Sequence, residues 1–230
     1  MEDFVKTLDD IILSENVVEN FYGKYFNDID FRNWLDQTIP EVKKCDKQKQ
    51  NNPWHKYNVL KHILYSVEGM NSLSKGLSPT DRRILAYTMF LHDIGKPESH
   101  IERMKDGVLI DSFFNHNIAS ARIAGEVLPK LDFTKEEVAI ISKLVYKHDI
   151  FMFIRLHSIE SKYHRVLTND LIREEINDLN SIGDGEKYLK YLIMVGRSDN
   201  YAQNEKMTGE SLKLLNEFER RLNAIINEKI

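Results

Sequence analysis

The stretch from Ile84 to Ile94 is apolar on nearly every side at helical spacing, and such a helix has no face to give to water. The rest of the chain must therefore surround it. Its start is well marked: Ser78 stands as N-cap, Pro79 takes the first helical position and Asp81 completes a capping-box-like pair. Gly95 supplies a C-cap, and Pro97 prevents continuation. The surrounding segments also read as helices. Asp3 to about Tyr22 places Phe4, Leu8, Ile11 and Ile12 on one face, and a shorter helix runs near Phe31 to Ile39. Another, after Trp54-His55, carries Val59, Leu60, Ile63, Leu64, Val67 and Met70. Further helices run from His116 to Leu128, stopped by Pro129, and from a second capping box, Thr134 to Glu137, as far as His148. A weaker helical pattern covers Ile159 to Leu179. Two more helices span Glu186 to about Gln203 and Glu210 to about Ile226, the last with Leu212, Leu215, Phe218 and Leu222 in one stripe. Ser99 to Phe114 is irregular, with a turn at Lys105-Asp106-Gly107 and a candidate strand at Val108-Leu109-Ile110. With only 10 Gly and 5 Pro, the chain is an all-α, compact multi-helix bundle rather than a turn-rich β protein.

At 230 residues there is room for one large domain with helical extensions. We divide it into an N-terminal helical extension and polar connector (1–51), a main domain (52–205) and a C-terminal helix packing on the core (206–230). The connector is the polar run Lys43 to Asn52 before Pro53, read as a solvated loop. No apolar run approaches the roughly 20 residues that cross a bilayer, and the start, Met1-Glu2-Asp3, is acidic where a signal peptide is basic. Cys45 is the only cysteine, which excludes an internal disulfide and a cysteine cage for zinc, and suits the reducing cytoplasm. A net charge of −4 gives no global reason for a nucleic-acid partner.

The informative residues are ionisable groups standing where core residues belong. His116 lines up with Ala119, Ile123 and Val127; His148 with Ile141, Leu144 and Val145; Asp199 with Tyr188, Leu192, Val195 and Ala202. His92 and Asp93 end the buried helix, and His62 sits at the edge of an apolar stripe. A single inward histidine is most often a hydrogen-bonded core residue. Several helices each contributing one, together with aspartates that need a partner when buried, point instead to a divalent cation. Imidazole and carboxylate without thiolate suit one or two ions of Mn, Fe, Co, Ni, Mg or Zn.

The order His62, then His92-Asp93, then Asp199 resembles the HD superfamily of metal-dependent phosphohydrolases. Phe90-Leu91-His92-Asp93-Ile94-Gly95-Lys96-Pro97 is similar to that superfamily's signature. The likeness is greatest to the HD domain of bacterial CCA-adding tRNA nucleotidyltransferases, through Asn52 to Val59 running into His62, Asn115-His116-Asn117, and Gly196 to Asn200. The nucleotidyltransferase head is missing, with no Gly-rich strand-turn bearing paired acidic ligands and too few residues before Asn52 to hold one. CCA addition is therefore not expected. The His-Asp-x-x-Glu-Asp run of (p)ppGpp hydrolases and the Gly-Tyr-Pro motif of cyclic-di-GMP phosphodiesterases are absent too.

The resemblance implies that His62, His92, Asp93 and Asp199 hold one metal, and that His116 and His148 hold a second with Asp93 bridging. It implies hydrolysis of a phosphomonoester or phosphodiester of a nucleotide or RNA end by a metal-activated hydroxide at Asp93. Lys96 is placed to meet a phosphate oxygen, or else to satisfy the last helix carbonyls. His55 and Arg197 are further candidates for phosphate contact, and His55 could also protonate a leaving group. His148-Asp149 is a second His-Asp pair, of which only His148 falls on the apolar stripe; Asp149 is expected to face solvent or cap a neighbour. His100, His157 and His164 read as surface residues. Two alternatives stand beside the hydrolase: a non-catalytic HD module that binds nucleotide or RNA, and a helical protein whose polar residues are core hydrogen bonders.

Overall fold

The computed structural model describes residues 3–158 and 162–228. Helices dominate it: α1 (Phe4–Ile12), α2 (Val17–Asn27), α3 (Ile29–Thr38), α4 (Glu41–Lys47), α5 (Val59–Leu73) and α6 (Pro79–Leu91) precede a hairpin of β1 (His100–Lys105) and β2 (Val108–Phe113). Then come α7 (His116–Val127), α8 (Lys135–Lys147), a two-residue parallel pair β3 (Ile154–Arg155) and β4 (Arg165–Val166), α9 (Asn169–Leu179), α10 (Gly185–Ala202) and α11 (Gly209–Asn227). The start of the weak Ile159–Leu179 pattern lies outside the described residues; within them its helix begins at Asn169, where Thr168 caps it. No described helix is long and apolar enough to cross a membrane.

Helix α6 is the axis of the fold. Every residue from Ile84 to Leu91 is buried, and α5, α7, α8 and α10 pack around it. Ser78 Oγ accepts from the Asp81 N–H at 3.2 Å, as a Pro-started helix with a serine cap should. One continuous core runs from Leu8 in α1 to Ile225 in α11. In α11 the buried face is Leu214, Leu215, Phe218, Leu222 and Ile225, whereas Leu212 is exposed.

Three local readings need correction. The first helix is two, broken at residues 13–16. Asn71 on α5 donates to the carbonyls of Ile12 (2.7 Å) and Ser14 (2.8 Å), satisfying the end of α1 from outside and stopping its continuation. The polar connector is partly a helix, α4. Its Val42 and Cys45 are buried at a spacing of three, which the surrounding lysines and glutamine conceal, and Gln50 beyond it is buried as well. Gly95 does not cap α6, which passes through His92 into a tight turn. Its value is close approach: a Cβ there would lie 2.5 Å from the Ser120 backbone nitrogen and 2.8 Å from the His116 carbonyl. Ser120 Oγ accepts from the Gly95 N–H at 2.9 Å, so the first turns of α7 press directly on the end of α6.

The irregular stretch is an antiparallel hairpin, His100 opposite Phe113 through Lys105 opposite Val108. Asp106 and Gly107, with φ of 51° and 79°, make the two-residue turn that such hairpins favour. Its base is tied to the segment before α5: Asp111 Oδ2 accepts from the Asn51 N–H at 2.6 Å, and the Asp111 N–H returns a bond to the Asn51 carbonyl.

Candidate metal centre

His62 comes from the end of the first turn of α5, His92 and Asp93 from the end of α6, His116 from the start of α7, His148 and Asp149 from the end of α8, and Asp199 from α10. The close seat of α7 on Gly95 fixes how near His116 comes to Asp93. Each ring is oriented the same way. Nδ1 of His92 donates to the Met89 carbonyl (2.6 Å), that of His116 to Phe113 (2.8 Å), that of His148 to Val145 (2.7 Å), and that of His62, more loosely, to Ala202 (3.4 Å). A carbonyl only accepts, so Nδ1 carries the proton in every case. The four Nε2 atoms are left to face one another.

They do so in two pairs, His62 with His92 at 3.3 Å and His116 with His148 at 3.1 Å. Asp93 lies between them. Its Oδ2 is 3.1 Å from His62 Nε2 and 3.3 Å from His92 Nε2, and its Oδ1 is 3.0 Å from His116 Nε2. Asp199 Oδ1 adds 3.0 Å to His62 and 3.7 Å to His92. Two neutral Nε2 lone pairs at such a distance repel unless a proton or a cation stands between them. Donors about 2.1 Å from a shared ion are about 3.0–3.4 Å apart at octahedral or tetrahedral angles, so the spacing fits divalent ions. Thiolates are absent from the cluster, which leaves the hard and borderline metals.

The electrostatics agree. Burial opposes a charge on His92, but Asp93 and Asp199 outweigh it and raise its pKa to about 10. Burial pushes Asp93 up, and His92, Lys96 and the bonds from His116 and His148 overcome it, holding the carboxylate well below its usual range. Asp199 is likewise held low by His62 and His92 against its burial. Without metal, a proton on His92 thus does the work of a cation. Its pKa is raised above the ordinary 6.5, so the stability it contributes is whole below pH 6.5 and fades as pH rises toward 10. The aspartates contribute above their ordinary 3.8 and lose that contribution in acid. Metal-free protein is therefore expected to be most stable between about pH 4 and 6.5 with respect to these groups. An ion must displace the His92 proton, so affinity for Mn²⁺ rises with pH, by up to about tenfold per unit for each proton released. Calorimetric titrations at pH 6.5, 7.5 and 8.5 in buffers of different ionisation enthalpy measure both affinity and released protons. Affinity independent of pH would contradict the assignment.

Lys96 does not satisfy helix carbonyls. Its buried ammonium meets Asp93 Oδ2 at 2.6 Å, Gln50 Oε1 at 2.8 Å and His55 Nε2 at 3.3 Å. His55 donates from Nδ1 to Asn52 Oδ1 at 2.8 Å, so its Nε2 is an acceptor for Lys96. Burial, with Lys96 and His62 beside it, drives the His55 pKa well below the ordinary value. His55 is thus a neutral acceptor that holds Lys96, a poor arrangement for protonating a leaving group.

Arg197 is not part of this cluster. It lies two residues from Asp199, about 200° around the helix, and its guanidinium pairs with Glu219 of α11 at 2.7 Å. Asp149 is also corrected. Instead of facing solvent it puts Oδ2 3.3 Å from His116 Nε2 and Oδ1 3.3 Å from His148 Nε2, because the helix has ended at His148 and Asp149 leads into a 3₁₀ segment over Ile150–Phe153. Gln50 and Gln203, which donates to Asp199 Oδ2 at 2.8 Å, were missed. Gln203 stands four residues after Asp199, a spacing that could have marked it; Gln50 had no periodic signal. His100 pairs with Asp111 at the hairpin base, and His164 meets Arg155.

A helical bundle that gathers four imidazoles and three carboxylates in this way has clusters that could hold a divalent metal. The chain belongs to the HD domain family, which matches residues 59–179, from α5 to α9. Asp199, His55 and Gln50 lie outside that match. Over 166 residues the chain is 22% identical to the bifunctional uridylyltransferase/uridylyl-removing enzyme of Ruegeria pomeroyi, covering 66% of this chain and 15% of that protein. The chain thus spans a small part of that relative's length.

Proposed function

We propose that this protein is a metal-dependent phosphohydrolase that cleaves a phosphomonoester or phosphodiester of a nucleotide or an RNA end. The observation that carries the reading is the arrangement of four Nε2 atoms, each freed by an Nδ1 bond to a carbonyl, around the two oxygens of Asp93. Divalent ions held there lower the pKa of water and neutralise phosphoryl oxygens. The chain's own residues supply the rest. Lys96, fixed by Gln50 and His55, brings a compact positive charge to the edge of Asp93. Gln50 and His55 also line an open groove of about 750 Å³, whose lining includes Lys47, Lys49 and Lys56 together with the acidic Glu102 and Asp111. Lys96 adjoins this groove through its bonds to Gln50 and His55. The uridylyl-removing activity in the relative's name favours a nucleotidyl substrate. The lone buried Cys45 suits a cytoplasmic setting.

The test is hydrolysis of p-nitrophenyl phosphate and bis(p-nitrophenyl) phosphate with added Mn²⁺, Ni²⁺ or Co²⁺, beside His92→Ala. Turnover that needs metal and is lost in the variant supports the reading. Turnover unchanged in the variant identifies a contaminant, and none with either ester or with nucleotide monophosphates and short RNA defeats the proposal.

A further inference from the structure

Two spaces open on the surface, and Lys56 and Tyr57 line both. The first is the groove that Lys96 adjoins. The second, of about 480 Å³, is lined from α5, α10 and the start of α11, and three tyrosines stand in its wall, Tyr57, Tyr65 and Tyr201. Tyr65 is on the helix that carries His62, and Tyr201 on the helix that carries Asp199. We propose that this second pocket is a nucleobase subsite for a single-stranded polynucleotide, whose backbone runs from it past Lys56 into the groove beside Lys96. The inference rests on the phosphohydrolase reading for the chemistry at the strand's end, and it names a strand rather than a free nucleotide as the substrate.

The rings are held open rather than packed away. Tyr57 and Tyr65 are half-buried and stack on each other, with centroids 4.7 Å apart and planes 30° from parallel. Tyr201 is 63% exposed, yet its place is fixed. A Cβ on Gly69 would lie 3.0 Å from the Tyr201 ring, so the glycine lets that ring rest against α5 four residues beyond Tyr65. Exposed aromatic faces in a fixed position are what a flat, unstacked base uses, whatever its sequence. The pocket also offers a hydrogen-bond acceptor. Asn200 is buried, and its Nδ2 donates to the Gly196 carbonyl at 2.8 Å and to Ser211 Oγ at 2.9 Å. Its Oδ1 has no partner among the described residues, which leaves it for a ring or exocyclic N–H of a base.

The charges decide the occupant. The chain as a whole carries −4, but Lys47, Lys49, Lys56 and Lys61 make no ion pair among the described residues. Lys56 and Lys61 instead stand 5.3 and 5.4 Å from the Tyr57 centroid, between the two spaces. Lysines interleaved with aromatic rings present phosphate contacts and stacking faces together. The acids nearby do not cancel them. Asp111 is held by His100 and by the Asn51 N–H, which leaves Glu102 in the first groove. Glu205 in the second is set against Arg197, itself paired with Glu219. A proline-rich peptide also favours aromatic grooves, but it gives four unpaired lysines nothing to neutralise.

The experiment is fluorescence anisotropy of a labelled single-stranded RNA of about eight nucleotides on the full chain, in EDTA so that no hydrolysis enters. Wild-type protein should bind it more tightly than an abasic strand of the same length. Tyr65→Ala and Tyr201→Ala should each weaken RNA binding about 5–100-fold and leave the abasic strand unaffected, while Tyr201→Phe, which keeps the ring, should bind as wild type does. Lys56→Ala should flatten the slope of log affinity against log salt by about 0.7, the value for one phosphate of a single strand. Thermal melting checks that each variant folds, and the phenylalanine variant separates the ring's role from a general loss of structure. With Mn²⁺ present, a strand carrying a terminal phosphate should be hydrolysed at a lower KM than a nucleoside monophosphate, and Tyr201→Ala should raise that KM and spare kcat. Equal binding of abasic strand and RNA, unchanged affinity in both alanine variants, equal KM for strand and nucleotide, or binding of a proline-rich peptide in place of RNA would each overturn the proposal. Absence of RNA binding beside metal-dependent turnover of p-nitrophenyl phosphate overturns it too and leaves the phosphohydrolase reading standing. Tyrosine-dependent RNA binding with no turnover of any ester supports the subsite and defeats that reading.

Discussion

Replacing Asp93 by asparagine is expected to remove metal from both sets of ligands at once and to lower phosphoester hydrolysis by at least about a thousandfold, since bound ions supply several kcal/mol and each 1.36 kcal/mol is a factor of ten. Among the described residues no other carboxylate faces both pairs of imidazoles: Oδ2 faces His62 and His92, and Oδ1 faces His116. His62→Ala or Asp199→Ala should by contrast weaken only one ion. Asparagine keeps the shape of the side chain but exchanges one oxygen for an NH₂ group, which cannot bind a cation. The loss also leaves the buried Lys96 ammonium without the negative charge it pairs with at 2.6 Å, and leaving a buried charge uncompensated typically costs about 3–5 kcal/mol. Elemental analysis of the purified variant, with its melting curve, separates the two effects. Metal retained at wild-type stoichiometry in a folded Asp93→Asn protein would remove this residue from the centre and with it the bridging arrangement.

The features legible in the sequence were those with a local cause. The buried axis α6 showed as a run with no polar face, and the caps at Ser78 and Thr134 showed as short motifs whose bonds form in place. The six polar residues on apolar stripes were visible because helical spacing alone decides which way a side chain points. Each feature that was misread depends on a distant partner. Asn71 stops α1 from fifty-nine residues away. Val42 and Cys45 are too few, in too short a helix, to stand out from their lysines. Gly95 looks like a helix cap until α7 is seen resting on it. Asp149 falls off the stripe of α8 because the helix has ended, and periodicity says nothing about the residue after a turn. Arg197 was drawn in by its neighbour Asp199, though two positions on a helix is nearly the opposite side.

Lys96 offers the sharpest contrast between a working group and a structural one. Its three N–H donors are matched by three acceptors, Asp93 Oδ2, Gln50 Oε1 and His55 Nε2, of which His55 at 3.3 Å is the longest. A phosphoryl oxygen would take the place of that weakest partner and leave the other two bonds to aim the ammonium. The same positive charge stands beside the carboxylate that would hold the ions, and so it opposes their binding. Lys96→Met is therefore expected to move two quantities in opposite directions: tighter Mn²⁺ binding, and phosphoester turnover reduced about 100–1,000-fold, the range found when a single group that stabilises developing negative charge is removed. Lys96→Arg should not restore turnover, because a planar guanidinium does not fit the compact space between Gln50 and Asp93. A lysine that only filled the core would, when replaced, weaken metal binding and activity together through loss of packing. Mn²⁺ titration and steady-state kinetics on the same preparation distinguish the cases, and weaker binding alongside proportionally weaker turnover would strip Lys96 of its role at the substrate.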